Sequence, residues 1–397
     1  MTLNKKKTQQ IPRELILPTK SFLLFGPRGT GKSTLLKMKL KASLEINLLK
    51  SSEYVPLSQN PSLLREKVDH LKRGDWVVID EVQKIPALLD EVHALYEEKG
   101  LHFALSGSSA RKLKRGGANL LAGRALQCHL SPLIHSEFCK VASIKDAVEW
   151  GTLPGVLTDP DHRVETLSTY VDTYLKQELM EEGLLRKLDP FIRFLKIAGL
   201  YNAQVLNIEN IARESHVGRT TVDKYFEILE DTLIGYRLPA IRLGIQTKEL
   251  SHPKFYFFDS GVARASSGLI YEEIDNVWRG HAFETYILHE VKSYNHYHKK
   301  NRELFYYKAA QSEEIDLLIE LQKKTMSKQQ EFLAIEIKYS KKWDSRWSKI
   351  LANFKNQSPK IKKTVGVYMG SEILTQQNVT VYPVEVFLEK LSEGYFF

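Results

Sequence analysis

The sequence predicts an α/β chain of several domains: a parallel-sheet domain, a helical linker, a helix–turn–helix with a hairpin, and a final α/β domain. Three observations predict it. An apolar run, Phe22 to Phe25, leads through the glycine-rich GPRGTGKS into a helical segment. Apolar residues at Val222, Tyr225, Phe226 and Leu229 follow helical spacing, just after a shorter helical run. Two late runs, EEIDLLIEL and FLAIEIKYS, alternate apolar and charged residues with the period of strands.

A chain of 397 residues has room for two to four domains, each with a core. Its 43% hydrophobic and 26% charged residues place it among ordinary soluble globular proteins. No apolar run approaches the roughly 20 residues that span a bilayer, and MTLNKKKTQQ does not open a secretory signal. Cys128 and Cys139 are too few for a disulfide framework and form no CxxC, so a reduced, cytoplasmic protein with no membrane partner is expected. The net charge of +9 fits either a polyanionic partner or a solvated basic surface. From Lys338 to Lys363 nine Lys/Arg face a single acid, Asp344, so the excess is concentrated late in the chain.

GPRGTGKS matches GxxxxGK[ST] between a buried strand and a helix read as TLLKMKLKASL. Phosphate binding needs that order: glycines let backbone N–H groups wrap the phosphates, and the helix N-terminus adds its positive dipole. Gly26, Pro27, Arg28, Gly29, Thr30, Gly31, Lys32, Ser33 and Thr34 are the expected ATP-binding residues. Lys32 would reach the β- and γ-phosphates and Ser33 would ligate Mg²⁺. GDWVVIDEVQKIP supplies the second half, with Asp80 to hold Mg²⁺ and Glu81 to polarise the attacking water. LHFALSGSSARKL reads as the next core strand, and either Ser106 or Ser108 could sense the γ-phosphate or the water. Arg124, directly after Gly123, is a candidate arginine donated to a neighbour's site in a homo-oligomer; the alternative is a surface salt bridge.

In the middle, LNIENIARESHVGRTTVDKYFEILEDTLIGYRLPAI reads as two helices joined by a tight turn, with Gly218 opening the second. YRLPAIRLG and KFYFFDSG would form a hairpin wing, an arrangement resembling a winged helix-turn-helix. Asp223 and Glu227 on the outward face oppose phosphate binding, which favours a packing module or weak nonspecific binding over a sequence reader.

In FLAIEIKYS, alternation puts Leu333, Ile335, Ile337 and Tyr339 on one face and Ala334, Glu336 and Lys338 on the other. Alone it could be an ordinary edge strand. EEIDLLIEL alternates likewise, and a hairpin across KKTMSKQQ would set Asp316 beside Glu336. GHAFETYILHEVK reads as an amphipathic helix carrying Glu284. A bare ExK is weak evidence, since EEK ending at Lys99 and EVK ending at Lys292 lie on predicted helices. A helix Glu, a strand Asp and ExK on the next strand, in that order, form the constellation of the PD-(D/E)xK nuclease fold. Asp316 and Glu336, with the Ile337 carbonyl and Glu284, would ligate Mg²⁺ or Mn²⁺, and Lys338 would position or help deprotonate a water. Trp343 and Trp347 stand four apart in the basic segment that follows; His296-x-His298 could ligate a metal, but a solvated strand-end or loop pair is the expected reading.

GPRGTGKSTLL, VVIDEVQKIP, LSGSSARKL and LLAGRA, followed by GTLPGV, Tyr170 to Leu175, Tyr225 to Leu229 and FFDSGVAR, resemble a large family of prokaryotic AAA-type ATPases with a C-terminal domain of unknown function. The resemblance implies a P-loop AAA-type ATPase domain over residues 1–140 and a helical lid or linker over 141–190. It further implies a winged-helix-like module over 191–262 and a restriction-endonuclease-like α/β domain over 263–397. The family more often has Gln-Thr before GK and Thr after it, where this chain has Gly29, Thr30 and Ser33. The function expected is ATP hydrolysis by a protein acting on nucleic acid, DNA foremost, through a metal-dependent nuclease-like domain. The alternative is a regulatory or scaffolding ATPase that binds nucleic acid or a protein without cleavage.

Overall fold

The computed structural model describes residues 11–108, 123–175, 180, 187–245, 249–309 and 314–397. Parts of two expected motifs, Ser109 to Leu113 and Leu120 to Ala122, lie outside the described residues. The chain divides into two compact units: Gln10–Leu133 with Glu227–Ile234, and Ile134–Phe226 with Gly235–Phe397.

The first unit is built on a parallel sheet of β1 (Phe22–Phe25), β2 (Leu44–Asn47), β3 (Trp76–Asp80), β4 (His102–Gly107) and β5 (Leu126–His129), in the order β2-β3-β4-β1-β5. Parallel strands need crossovers, and helices covering the sheet explain why β1 is apolar throughout rather than alternating. Leu23, Phe25, Ile79, Phe103 and Leu105 share one core with Leu88, Val92 and Leu95 of the helix Leu88–Lys99. Each such buried side chain contributes about 1.5–3 kcal/mol relative to exposure. The topology also gathers the carboxyl ends of β1, β3 and β4 along one sheet edge, where open α/β sheets bind ligands. The helix after the glycine loop is shorter than its sequence suggests, running Lys32–Lys39 rather than on to Leu44. Leu40 is extended, and Leu44 pairs with Val77, so the sheet claims residues whose composition suits a helix.

In the middle of the second unit are the helices Leu188–Leu200 and Ile208–Ser215 and the first part of Arg219–Asp231, whose residues from Glu227 are counted with the first unit. A three-stranded antiparallel sheet accompanies them: β6 (Gln204–Val205), β7 (Gly235–Leu238) and β8 (Lys254–Phe257), in the order β6-β8-β7. Val222, Tyr225 and Phe226 are buried, as helical spacing requires, and Phe194 meets Tyr225 and Phe226 at ring separations of 5.2 and 4.9 Å. His216 takes the left-handed turn conformation (φ 52°), while the Gly218 carbonyl accepts from the N–H of Thr221 and Val222 to start the next helix.

The C-terminal sheet is mixed: β9 (Leu304–Lys308), β10 (Glu314–Gln322), β11 (Glu331–Lys338), β12 (Ile361–Tyr368), β13 (Leu374–Gln376) and β14 (Val379–Pro383), in the order β13-β14-β12-β11-β10-β9. FLAIEIKYS is therefore not an edge. Its strand β11 is interior, antiparallel to β10 and parallel to β12. The alternating pattern implied a polar face, yet Leu318 and Ala334 lie in a core with Tyr307, Leu351 and Phe354. The helix Asn276–Tyr297 is not amphipathic over its middle, where residues 282–291 are buried on every side. His296 lies in this helix and His298 caps it, so the pair is neither strand-end nor loop. Two positions apart on a helix they point away from each other. Trp343 is buried, its indole N–H donating to Ser348 Oγ at 2.9 Å, and it packs with Trp347 at 5.1 Å as part of the core. Among the described residues no helix is long and apolar enough to cross a membrane.

Candidate functional sites

The nucleotide loop is shaped by two glycines. Gly31, at φ 92°, holds a left-handed conformation that L-residues rarely adopt, and a side chain on Gly26 would collide with the Leu130 carbonyl. Lys32 is buried, and its ammonium donates to Gly26 O at 2.7 Å and Pro27 O at 3.1 Å. Ser33 Oγ donates to Asp80 Oδ2 at 2.6 Å, which joins the loop to the end of β3. Thr30 Oγ1 turns inward to Pro27 O at 2.9 Å, and Thr34 is exposed on the helix.

The two serines of β4 separate by their partners. Ser106 Oγ donates to Asp80 Oδ1, so it orients the acid that would face Mg²⁺. Ser108 Oγ accepts from Gln83 Nε2 at 3.1 Å, and the same amide donates to Glu81 Oε2 at 2.5 Å. Glu81 itself sits in left-handed backbone (φ 61°), a costly state for a residue with a Cβ and one that recurs at functional turns. Arg124 is half-exposed and pairs with Glu97. Sequence reading missed Gln83, although it lies in the quoted VVIDEVQKIP. It also missed Arg13, whose guanidinium donates to Thr30 O at 2.6 Å and Ser131 O at 2.6 Å to brace the loop. Nothing periodic around Arg13 signals that role.

In the second unit, the β10–β11 register runs Leu317↔Ile335 and Leu318↔Ala334, which sets Asp316 one step on, opposite Glu336. Both are buried, with Glu336 at 3% exposure. Lys338 Nζ bridges them, 2.6 Å from Glu336 Oε1 and 3.1 Å from Asp316 Oδ2. The Ile337 N–H donates to the same Asp316 oxygen at 2.7 Å. Burial pushes Glu336 up to about 8; the Asp316 charge adds to the push and Lys338 opposes it. Burial works against the Lys338 charge, yet Asp316 and Glu336 hold it well above the usual lysine range.

Glu284, from the helix Asn276–Tyr297, belongs to a second cluster that sequence reading missed. Lys254 of β8 is buried, with Nζ 2.7 Å from Glu284 Oε1 and 2.5 Å from Glu314 Oε1. Tyr256 Oη donates to Glu284 Oε1 as well. Burial pushes Glu284 up to about 7 against the pull of Lys254, and Asp316 adds to the push. Burial also disfavours the Glu314 charge, but Lys254 and Lys308 outweigh it and hold this carboxyl at about 2. One signal was present in KFYFFDSG: a lone lysine opening an aromatic strand must find a buried acid.

The donor set fits a hard divalent cation in one respect, since the buried Glu336 Oε2 has no hydrogen-bond partner. Among the described residues, however, no three His, Cys, Asp or Glu side chains draw together closely enough to hold a metal ion. Seven lysines and arginines near this end are exposed, namely Lys341, Lys342, Arg346, Lys349, Lys355, Lys362 and Lys363, and Arg346 is held by Asp344 at 2.6 Å.

Comparison with known proteins gives three family matches. Residues 18–139 match the AAA domain, residues 141–273 a domain of unknown function (DUF8612), and residues 279–387 another (DUF4143). An uncharacterised protein of Mycobacterium tuberculosis is 24% identical over 310 residues, covering 75% of this chain and 67% of that protein. One of Haemophilus influenzae is 23% identical over 279 residues, covering 62% and 69%. Among solved structures, the Aeropyrum pernix ORC1 protein in complex with DNA is 13% identical, covers 64% of this chain and 87% of that one, and has a TM-score of 0.31. The chain thus carries an AAA-type P-loop domain followed by segments whose relatives are uncharacterised.

Proposed function

We propose that this chain hydrolyses ATP at its AAA-type domain and cleaves nucleic acid, DNA foremost, at the Asp316–Glu336–Lys338 cluster of its C-terminal unit. The convergence of two buried carboxylates and one lysine on adjacent strands carries the second half of this reading. The Ser33–Asp80 bond carries the first.

At the P-loop, Ser33 and Asp80 would hold Mg²⁺, Lys32 would move to the phosphate oxygens, and Glu81 would take a proton from the attacking water. Ser106 keeps Asp80 oriented, and Gln83 with Ser108 keeps Glu81 oriented. Arg124 would serve a neighbouring subunit in a homo-oligomer after leaving Glu97. At the C-terminal cluster, Asp316 and Glu336 would hold Mg²⁺ or Mn²⁺, which supplies charge stabilisation at the scissile phosphate. Lys338, kept protonated between two acids, orients the attacking water rather than accepting its proton. The exposed lysines of 341–363 would line the path of the phosphate backbone. In this reading residues 191–262 form a winged-helix-like module and residues 141–190 a lid or linker.

A second reading, a scaffolding ATPase that binds without cutting, is favoured by one observation: the Lys338 ammonium already sits against both carboxyls, where a cation would bind. The test incubates purified protein with circular and linear DNA and with RNA, in Mg²⁺ or Mn²⁺, with and without ATP. Cleavage that disappears in Asp316→Ala and Glu336→Ala is expected. Intact ATP turnover with no cleavage of any substrate would leave the scaffold.

A further inference from the structure

The C-terminal sheet has two ends of opposite chemistry. Asp316 and Glu336 lie toward the end where β10 begins and β11 finishes. The other end gathers the start of β9, the β10–β11 hairpin and the start of β12, because Leu304 pairs with Ile319, Gln322 with Glu331, and Phe332 with Ile361. From Glu331 to Glu336 the strand advances five residues, about 17 Å.

This far end is basic. The hairpin stretch KKTMSKQQ holds no acid, and Lys323, Lys324 and Lys328 are exposed with no ion pair to any acid among the described residues. Its own bonds shape the turn: Thr325 N–H donates to Lys328 O at 3.0 Å, and Lys328 N–H to Thr325 Oγ1 at 3.1 Å. β12 opens beside it with Lys360 and the exposed Lys363. The nearby acids are Glu331, held by Lys362 at 3.3 Å, the exposed Glu303, which Lys299 matches in the lead-in to β9, and the exposed Glu389 and Glu393. Tyr395 adds a flat ring to this surface. It is 57% exposed, with its ring centre 4.6 Å from Lys390 Nζ and 6.0 Å from Lys363 Nζ. The ring packs on Phe396 at 5.3 Å, and the Tyr395 N–H donates to Lys390 O at 3.0 Å, which fixes it after the helix Val384–Ser392.

We propose that this far end is a second nucleic-acid surface, which grips the phosphates of a single strand and stacks one of its bases on Tyr395. The inference rests on the nucleic-acid half of the reading above and needs neither cleavage nor a metal ion. A nucleotide offers a flat base and a phosphate together, and the ring with its two ammonium groups matches both. An acidic peptide would meet the ammonium groups alone. The same geometry divides the basic run of Lys338 to Lys363: Lys341 and Lys342 follow the acids, whereas Lys360 and Lys363 belong to the opposite end. A strand anchored there is held by residues that take no part at Asp316 and Glu336.

The test is fluorescence anisotropy of a labelled oligothymidine with the full chain, in EDTA and without ATP, over a series of salt concentrations. The triple variant Lys323→Gln/Lys324→Gln/Lys328→Gln should weaken binding at least ~10-fold and reduce the slope of log Kd against log salt by about 2, because three phosphate contacts are lost. A charge-matched control, Lys140→Gln/Lys145→Gln/Lys187→Gln, removes three exposed lysines elsewhere in the same unit and should bind within about threefold of wild type. Tyr395→Ala should weaken binding about tenfold with little change of slope, and Tyr395→Phe, which keeps the ring, should bind as wild type does. Should Tyr395→Ala lower Tm, Lys363→Gln/Lys390→Gln replaces it and should weaken binding with a slope reduced by about 1.4. Equal losses in the hairpin triple and the control, or no loss in the hairpin triple, overturn the surface. So does a triple that loses acidic polypeptide or anionic vesicles while keeping the oligonucleotide. A wild-type chain that binds no oligonucleotide overturns the nucleic-acid reading itself, whereas a chain that binds and never cuts leaves this surface standing.

Discussion

The P-loop and the C-terminal acid cluster are both polar sites at strand ends, but they are built in opposite ways. The P-loop takes most of its groups from eight consecutive residues, Gly26 to Ser33, and its shape follows from glycine backbone and a helix start. The C-terminal cluster draws on β8, the helix Asn276–Tyr297, β10 and β11, and it buries its charges. A contiguous site survives in the sequence as a motif, whereas a dispersed one survives only as isolated residue types. Burial also changes the electrostatics: Glu336 and Glu284 are pushed up to about 8 and about 7 inside the fold.

The contrast can be tested by perturbing each site and reading the other. Lys32→Ala should reduce ATP turnover at least ~100-fold, since it removes the ammonium that meets the transferring phosphate, while Mn²⁺ binding at Asp316 and Glu336 persists. Loss of both together would show the sites to be interdependent. Within the nucleotide site, Ser106→Ala should lower turnover about tenfold or more through Asp80, and Ser108→Ala should act less because Gln83 stands between it and Glu81. Steady-state turnover at saturating Mg²⁺-ATP reads the difference, and equal losses would break the separation of roles.

The buried cluster should also report itself through pH. A carboxyl raised from 4.5 to about 8 on folding keeps a proton that the unfolded chain has released across that interval. Stability therefore falls as pH rises through it, by linkage. Asp316 from β10, Lys338 from β11 and Lys254 from β8 set the local field on Glu336. In metal-free buffer, wild-type Tm should drop from about pH 5 to about pH 8 more steeply than Glu336→Gln Tm. Parallel curves would remove Glu336 as the source.

A smaller effect is expected at Asp259, whose carboxylate accepts from Thr152 N at 2.6 Å and Val262 N at 3.0 Å. Asp259→Ala would strand those buried donors and should cost about 1–3 kcal/mol in denaturant unfolding. Asp259 also explains a pairing the sequence left unconnected: GTLPGV and FFDSGVAR meet at this one side chain.

Much of the local structure was legible. Strand runs at 22–25, 76–79 and 331–338, the helix pair at 208–231 and the β10–β11 hairpin all follow from periodicity and turn residues. Other features were not. Leu44 looked helical because helix propensity says nothing about a neighbour such as Val77. FLAIEIKYS alone could be an ordinary edge strand because alternation reports residue types; in the fold it is interior, with Glu336 buried and Lys338 partly exposed beside it.

By itself, the sequence determined the phosphate loop, the acids after β3, and the alternation that brings Asp316 and Glu336 onto one face, because each depends on spacing within a few residues. That Ser106 holds Asp80, that Gln83 restrains Glu81, and that Lys254 lies against Glu284 and Glu314 became visible with the folded chain. Those assignments depend on which buried charge finds which partner, and that is settled by packing across strands and helices distant in sequence.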